Sequence, residues 1–446
     1  MHRAGNGLRW SRSMKNAGML GILLLSLGLA CSKQSSHEPV TVTFLDIEWE
    51  VPDRLPRLAE DLQDFTRETG IQVKRLPAPD GSLNQLALWR ELLQKEAAAL
   101  DVCSIDVIWP GILNPYLMDL KPHFATELFS QHPVVVASYT VGDKLVAIPH
   151  HAYVGALLYR TDLLRRYGYR EPPKTWDELE RMATRIQAGE RAKGEKDFWG
   201  FVWQGATSEG LTCSGLEWQI GEGGGRIIED DKTISVNNPQ AIGAWQRAAR
   251  WVGSISPPGV IAYGKWDAEN VWISGKAAFL RGWVSDFSLL TLHTPPGNAT
   301  QFGVTSVPGG NAGRASTLGG NGLAVSRTSA HPREALELIR FLRRRDLQLR
   351  RAREHSDPTK ELELYELPAV LELYPLLAKL RQHGGRVVAR PSIVAGQKYE
   401  DVSRAYIRAV HSVLTGEKIA SVAAAALEKE LVEITGFRQG PPSKPD

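Results

Sequence analysis

The feature that most narrows the fold is the order of segments between Val40 and Gly111. VTVTFLD (Val40 to Asp46) is β-branched and bounded by turn formers, and RLAEDLQDFTRETG places Leu58, Leu62 and Phe65 on one helical face before stopping at Gly70. IQVKRLP reads as a second strand and LNQLALWRELLQKEAAAL as a second helix. IDVIWPG (Ile105 to Gly111) is a short buried strand closed by Pro110. A β-α-β-α-β order predicts an α/β fold with a parallel, doubly wound sheet, because strands joined by crossover helices run the same way.

A second unit begins near Leu145. LVAIPHHAYVGALLYR is strand-like, and Thr175 with Glu178 in KTWDELERMATRI has the spacing of a capping box, which predicts a helix start. Gly223, Gly224 and Gly225 follow a helical stretch instead of preceding one, so they read as a helix stop before the hairpin RIIEDDKTISV and not as a phosphate cradle. Asn238 and Pro239 are a cap and a first-turn proline. After Gln301 short strands return (QFGVTSVPGG, LAVSRT), followed by the helix PREALELIRFLRRRD and a mostly helical tail to Phe437. The expected map is discontinuous. One lobe takes 40–149 plus 301–358, the other 150–300 plus 359–438, and 439–446 is a disordered tail.

Charge is informative only when divided by segment. The whole chain carries 53 Lys and Arg against 50 Asp and Glu, a formal +3. Residues 1–30 hold Arg3, Arg9, Arg12 and Lys15 with no acid, which leaves 49 bases against 50 acids in the remainder, a net of −1. That removes the argument for a polyanionic partner. The same first 30 residues have a basic start and an apolar run from Ala17 to Ala30, the pattern of an export signal. Cys31 directly after Ala30 resembles a lipoprotein cleavage site, although Leu29 is one place later than usual; a plain secretory signal is the alternative. Lipidation there would anchor the chain to a membrane through the polar tether 31–39. The remaining thiols, Cys103 and Cys213, lack any CxxC pattern and are expected to be buried and free.

All 13 tryptophans precede residue 284. Exposed Trp and Tyr faces match the apolar faces of pyranose rings, and planar Asp, Asn and Arg groups match paired hydroxyls, so a cleft holding both would suit a sugar. Most of these tryptophans are expected in the core. The sequence has no GxSxG elbow, HExxH or Walker loop. Glu48, Glu50 and Glu209 are the acids to consider for glycoside hydrolysis. His150 and His151 are adjacent, so strand alternation predicts opposite faces, and neither a metal site nor a cofactor is expected. Seven arginines between Arg340 and Arg353 read as a solvated helix face, with lipid headgroups or a docking partner second and nucleic acid not expected.

A series of ordered motifs goes further. IDVIWPG (105–111), LLYRTDLLRRYG (157–168), PPKTWDEL (172–179), FWGFVWQG (198–205), EGLTC (209–213), AAFLRGW (277–283), TLGGNGLAVS (317–326) and ARPSIVAGQKYEDVS (389–403) together resemble the family 1 extracellular solute-binding proteins of ABC importers, nearest the trehalose/maltose-binding group. The resemblance runs from Val40 to Phe437. It implies a two-lobed, periplasmic-binding-protein-like fold with a hinge and an interlobe ligand cleft. It also implies a monomeric, non-catalytic receptor that delivers a carbohydrate to ABC permease subunits, facing the periplasm or cell exterior.

Carried over residue by residue, the resemblance makes Asp106 a hydroxyl-binding acid beside Trp109, Trp283 a stacking platform, Gly320 a close backbone approach and Arg390 a ligand contact. Glu50 and Glu209 complete the acidic set. Alternatives stay open: Asp106 as a helix cap, Trp283 as core, Gly319 and Gly320 as a turn, and Arg390 paired with an acid across the hinge. The chain departs from the family pattern at Tyr153 (usually Asp or Asn), Asn321 (usually Trp), His150 (commonly Trp) and Ser208 (commonly Tyr). The expected ligand is an α-linked disaccharide or short oligosaccharide. A different polar solute, such as a sugar or polyol derivative, is the alternative within the fold, and a cleft-active carbohydrate enzyme is the alternative from another class.

Overall fold

A computed structural model describes residues 39–46, 55–79, 82–94, 100–126, 128, 132–286, 302–355 and 385–443. Residues 1–30, Cys31, Glu48 and Glu50, and with them the expected leader and lipidation site, lie outside these described residues.

The three opening strands, β1 (Thr41–Leu45), β2 (Gln72–Leu76) and β3 (Val102–Asp106), pair in parallel in the order β2-β1-β3, as their crossover helices require. A small hairpin of β4 (Thr140–Val141) and β5 (Lys144–Leu145) leads into the 13-residue β6 (Ile148–Arg160). Then come β7 (Trp199–Val202), β8 (Thr233–Ile234), β9 (Ala277–Trp283), β10 (Phe302–Ser306), the 11-residue β11 (Ala315–Val325), β12 (Arg386–Val388) and β13 (Arg438–Gln439). Nine of them form one sheet ordered β2-β1-β3-β11-β6-β9-β7, with β10 added against β6 and β12 against β11; β8 pairs with β13.

The sheet is not parallel throughout, which corrects the expectation from the opening segments. β11 runs antiparallel to β3 and β6, and β6 antiparallel to β9 and β10. The reason lies in the two long strands. β6 begins beside β11 in the half that holds β1 to β3 and ends beside β9 and β10 in the other half, while β11 begins beside β12 and ends against β3. One strand carries the chain out and the other brings it back, so they must oppose each other.

Strand alternation explains how the second half is layered. In β6, Ala156 and Leu158 join a cluster with Val202, Trp272, Leu280 and Val304, whereas Leu157 and Tyr159 join the larger cluster on the opposite face. Both faces are therefore covered. Local signals fixed the helix starts as expected: the Thr175 hydroxyl accepts from Glu178 N at 3.2 Å, and Asn238 Oδ1 accepts from Gln240 N and Ala241 N at 3.1 and 3.0 Å. Cys103 and Cys213 are both buried and free, with each thiol pushed up by burial.

A buried ion pair ties this half together. Arg281 on β9 donates to Glu217 through Nε (2.9 Å) and Nη2 (2.7 Å), and the two side chains are 1% and 0% exposed. Thr317 on β11 adds its backbone N–H and hydroxyl to Glu217 Oε1 at 3.0 and 2.7 Å. Gly155 on β6 leaves the space: a Cβ there would stand 2.0 Å from Glu217 Oε1. The basic run is not simply solvated, as the arginine pattern alone predicts. Arg350 pairs with Asp61 (2.7 Å) and Asp64 (2.9 Å), and Arg344 with Glu68 (2.6 Å), so the arginines face the acidic side of the helix Leu55–Thr69.

Candidate ligand cleft

Asp106 ends β3, where the strand gives way to the turn at Val107 and the short helix Pro110–Leu113. Its Oδ1 accepts from Ile108 N at 3.1 Å, so it does cap the turn, while its side chain keeps partial exposure. Arg390 Nη2 lies 3.8 Å from that Oδ1, and Arg390 Nη1 donates to Glu209 Oε1 at 2.9 Å. Glu209 opens the helix Glu209–Gly221 and also accepts from the Tyr399 hydroxyl and, at 2.5 Å, from the Ser403 hydroxyl. One buried guanidinium thus stands between a carboxylate from the β1–β3 half and one from the helix after β7. Burial raises the Asp106 carboxyl above its usual range, with Arg390 and the Ile108 N–H opposing the shift.

The opposite side is aromatic. Tyr153 and Trp283 meet edge-on with ring centroids 5.2 Å apart, and Arg281 stacks over Trp283 at 4.4 Å. Trp283 retains 9% exposure, between core and platform. Gly319 permits this pair, since a Cβ there would lie 2.4 Å from the Tyr153 ring. Neither Gly319 nor Gly320 forms a turn; both sit inside β11. Gly320 has φ of 138° and its Cβ would fall 2.0 Å from the His151 carbonyl oxygen, so only glycine fits. Its own carbonyl accepts from Val107 N at 3.0 Å, which holds the Asp106 turn against β11.

His150 and His151 do not point to opposite faces. Asn321 is in register with His151 but Gly322 with Pro149, so β6 carries an extra residue there, and the two rings stack at 4.2 Å. A bulge breaks the two-residue period on which the alternation argument rests. Among the described residues no group of three or more His, Cys, Asp or Glu could hold a metal.

Asn321 lies beside Asp106 in register, with Nδ2 3.4 Å from His151 Nδ1 and Oδ1 buried without a hydrogen-bond partner among the described residues. The same holds for Arg390 Nε and the Tyr139 hydroxyl. Burial, and then the charge of Asp106, raises the Tyr139 phenol above its usual range. Buried polar atoms without partners are uncommon in folded chains, and here three gather around one carboxylate. Beyond Glu209 a groove of ≈ 510 Å³ opens, walled by Trp109, Ser208, Tyr399, Ser403 and Ile407. Trp109 contributes an edge only; it is 1% exposed and packs on Trp89.

Sequence reasoning brought together Asp106, Glu209, Arg390, Tyr153, Trp283, Gly320 and Asn321. It did not single out Tyr139, Tyr399 and Ser403, which the structure places beside them. Tyr399 and Ser403 lie in the 389–403 motif, four residues apart on one helix face, which was the available signal. Tyr139 carried none.

Residues 50–348 match the bacterial extracellular solute-binding protein family, and the chain belongs to it. A Deinococcus radiodurans protein described as a probable ABC transporter-binding protein is 40% identical over 93% of this chain and 98% of its own length. The maltose-bound MalE3 protein of T. maritima superposes with a TM-score of 0.79 at 32% identity, covering 89% of this chain and all of that one. The GacH receptor of Streptomyces glaucescens, solved unliganded and with acarbose, shares the two-lobed fold at a TM-score of 0.77, 22% identity and 90% and 99% coverage. Proteins of this family are binding proteins and not enzymes. No described helix is long and apolar enough to cross a membrane.

Proposed function

We propose that this protein is the substrate-binding component of an ABC sugar importer and captures an α-linked disaccharide or short oligosaccharide by closure of its two lobes. The observation that carries this reading is the set of partnerless buried polar atoms, Arg390 Nε, Asn321 Oδ1 and Tyr139 Oη, around Asp106 and beside the Tyr153–Trp283 pair. Sugar hydroxyls both donate and accept, so they satisfy such a mixed set, and ring faces suit the aromatic wall. The maltose bound by the T. maritima relative supports the same class. In this reading the lobes run 40–149 plus 301–358 and 150–300 plus 359–438, with the moving joint inside β6 and β11. Glu50 and His150 join the ligand contacts, Cys31 carries the lipid anchor, and the receptor acts as a monomer.

Isothermal titration with maltose, trehalose, maltotriose and glucose tests the reading. Saturable binding to a disaccharide, lost in Asp106→Asn, is expected; a folded protein that binds no mono- or oligosaccharide sinks it. A second reading, a polyol or sugar derivative, is favoured by Asn321 where family members place Trp. Solved structures of the same fold hold ribitol and D-mannitol. Tighter binding of either than of maltose selects that reading.

A further inference from the structure

We infer that Lys265 and Trp266 form an outer subsite of the cleft, which takes the ring face of the second or third unit of a neutral oligosaccharide. The inference rests on the carbohydrate reading above and assigns it two residues that no motif in the sequence marked.

Trp266 stands apart from the other described tryptophans. Trp89, Trp109, Trp176, Trp203, Trp218, Trp245, Trp251 and Trp272 are at most 2% exposed, whereas Trp266 is 52% exposed. Two separate sets of bonds fix where it stands. On one side, Lys265 Nζ lies 3.0 Å from Asp286 Oδ1, and Asp286 Oδ2 accepts from the backbone N–H of Trp283 at 2.8 Å. On the other side, the carbonyl of Tyr263 accepts from Gly205 N and Ala206 N at 3.1 and 3.0 Å, which fixes the loop that continues into Ser208 and Glu209 of the groove wall. The start of the helix Lys265–Ile273, which carries the exposed Trp266, is therefore tied both to the aromatic wall and to the loop that leads into the groove.

The chemistry favours a neutral sugar over a charged one. The Lys265 ammonium lies 5.1 Å from the Trp266 ring centroid and 3.8 Å from Glu269 Oε1 as well as against Asp286. Burial alone would weaken that cation, but the two carboxylates more than offset it, so it stays a hydrogen-bond donor. Asp286 against the ammonium leaves no surplus positive charge to recruit an anionic unit, and the Glu269 carboxyl beside it adds none. An indole face with an adjacent donor offers what a pyranose presents: an apolar ring face edged by hydroxyls.

The test compares wild type, Trp266→Ala and Trp266→Phe by titration with glucose, maltose and maltotriose. Because the ring is half in solvent, its truncation leaves the core intact. The expected result is a loss of about tenfold in maltotriose affinity for Trp266→Ala, glucose affinity within twofold of wild type, and partial recovery in Trp266→Phe. Equal losses for all three sugars, or no loss for any, would overturn the subsite alone. A wild-type protein that binds none of the three overturns the carbohydrate reading and the subsite with it.

Discussion

One helix, Glu209–Gly221, supplies a glutamate to each of two buried arginines, and the two pairs serve different ends. Glu217 meets Arg281 with both side chains out of reach of solvent, one charge against one, and Thr317 closing the remaining valence of Oε1. Glu209 meets Arg390 with its own carboxylate 20% exposed, and Arg390 also faces the partly exposed Asp106 across the cleft. The first pair is neutral, closed and set where β6, β9 and β11 pack. The second carries a surplus negative charge and opens toward the groove. Burial of an arginine alone does not distinguish scaffold from site; what distinguishes them is whether the carboxylates beside it still reach solvent.

The sharpest way to break this comparison is to leave Arg281 without its counter-charge. Glu217→Gln is expected to lower the unfolding free energy by about 3–5 kcal/mol, the cost of an uncompensated buried charge. Urea denaturation measures it, and a loss near zero would place the two pairs on the same footing. Next comes Arg390→Ala. Glu209 and Asp106 reach solvent, so the stability loss is smaller, about 1–3 kcal/mol, while maltose affinity falls by at least about tenfold. A stability loss as large as that of Glu217→Gln, with binding intact, would make Arg390 scaffold as well.

The last test concerns Glu269, buried beside Asp286 behind the aromatic wall. Burial, then Asp286, pushes its carboxyl up to about 9, against 4.5 for the ordinary group. Between those values the folded protein binds a proton that the unfolded chain has released, so this group lowers stability progressively as pH rises from 4.5 to about 9. Glu269→Gln mimics the protonated form. Its melting temperature is expected to gain on that of wild type as pH rises across this window and to lose the advantage below it. A gap constant from pH 5 to 9 would mean that Lys265 keeps the group ionised.

Legibility followed range. The first three strands, the caps at Thr175 and Asn238 and the core fate of most tryptophans depend on neighbours within a few residues or on hydrophobicity alone, and each could be read in advance. The stacked histidines could not, because one extra residue in β6 is visible only against its partner β11. Nor could the strand setting of Gly319 and Gly320, since two glycines signal a turn unless another backbone presses on them, as that of His151 does on Gly320. The arginine run looked solvated because its partners, Asp61, Asp64 and Glu68, lie more than 270 residues earlier.

The sequence by itself determined the class of molecule: an α/β chain whose basic excess lies in its first 30 residues, leaving a nearly neutral remainder suited to a hydroxyl-rich ligand. Pattern, composition and motif order are local or additive properties, so one dimension holds them. Only the tertiary structure decided which charges close on themselves and which stay open. That outcome depends on which segments β6 and β11 bring within hydrogen-bonding distance, and on how far each carboxylate remains from water.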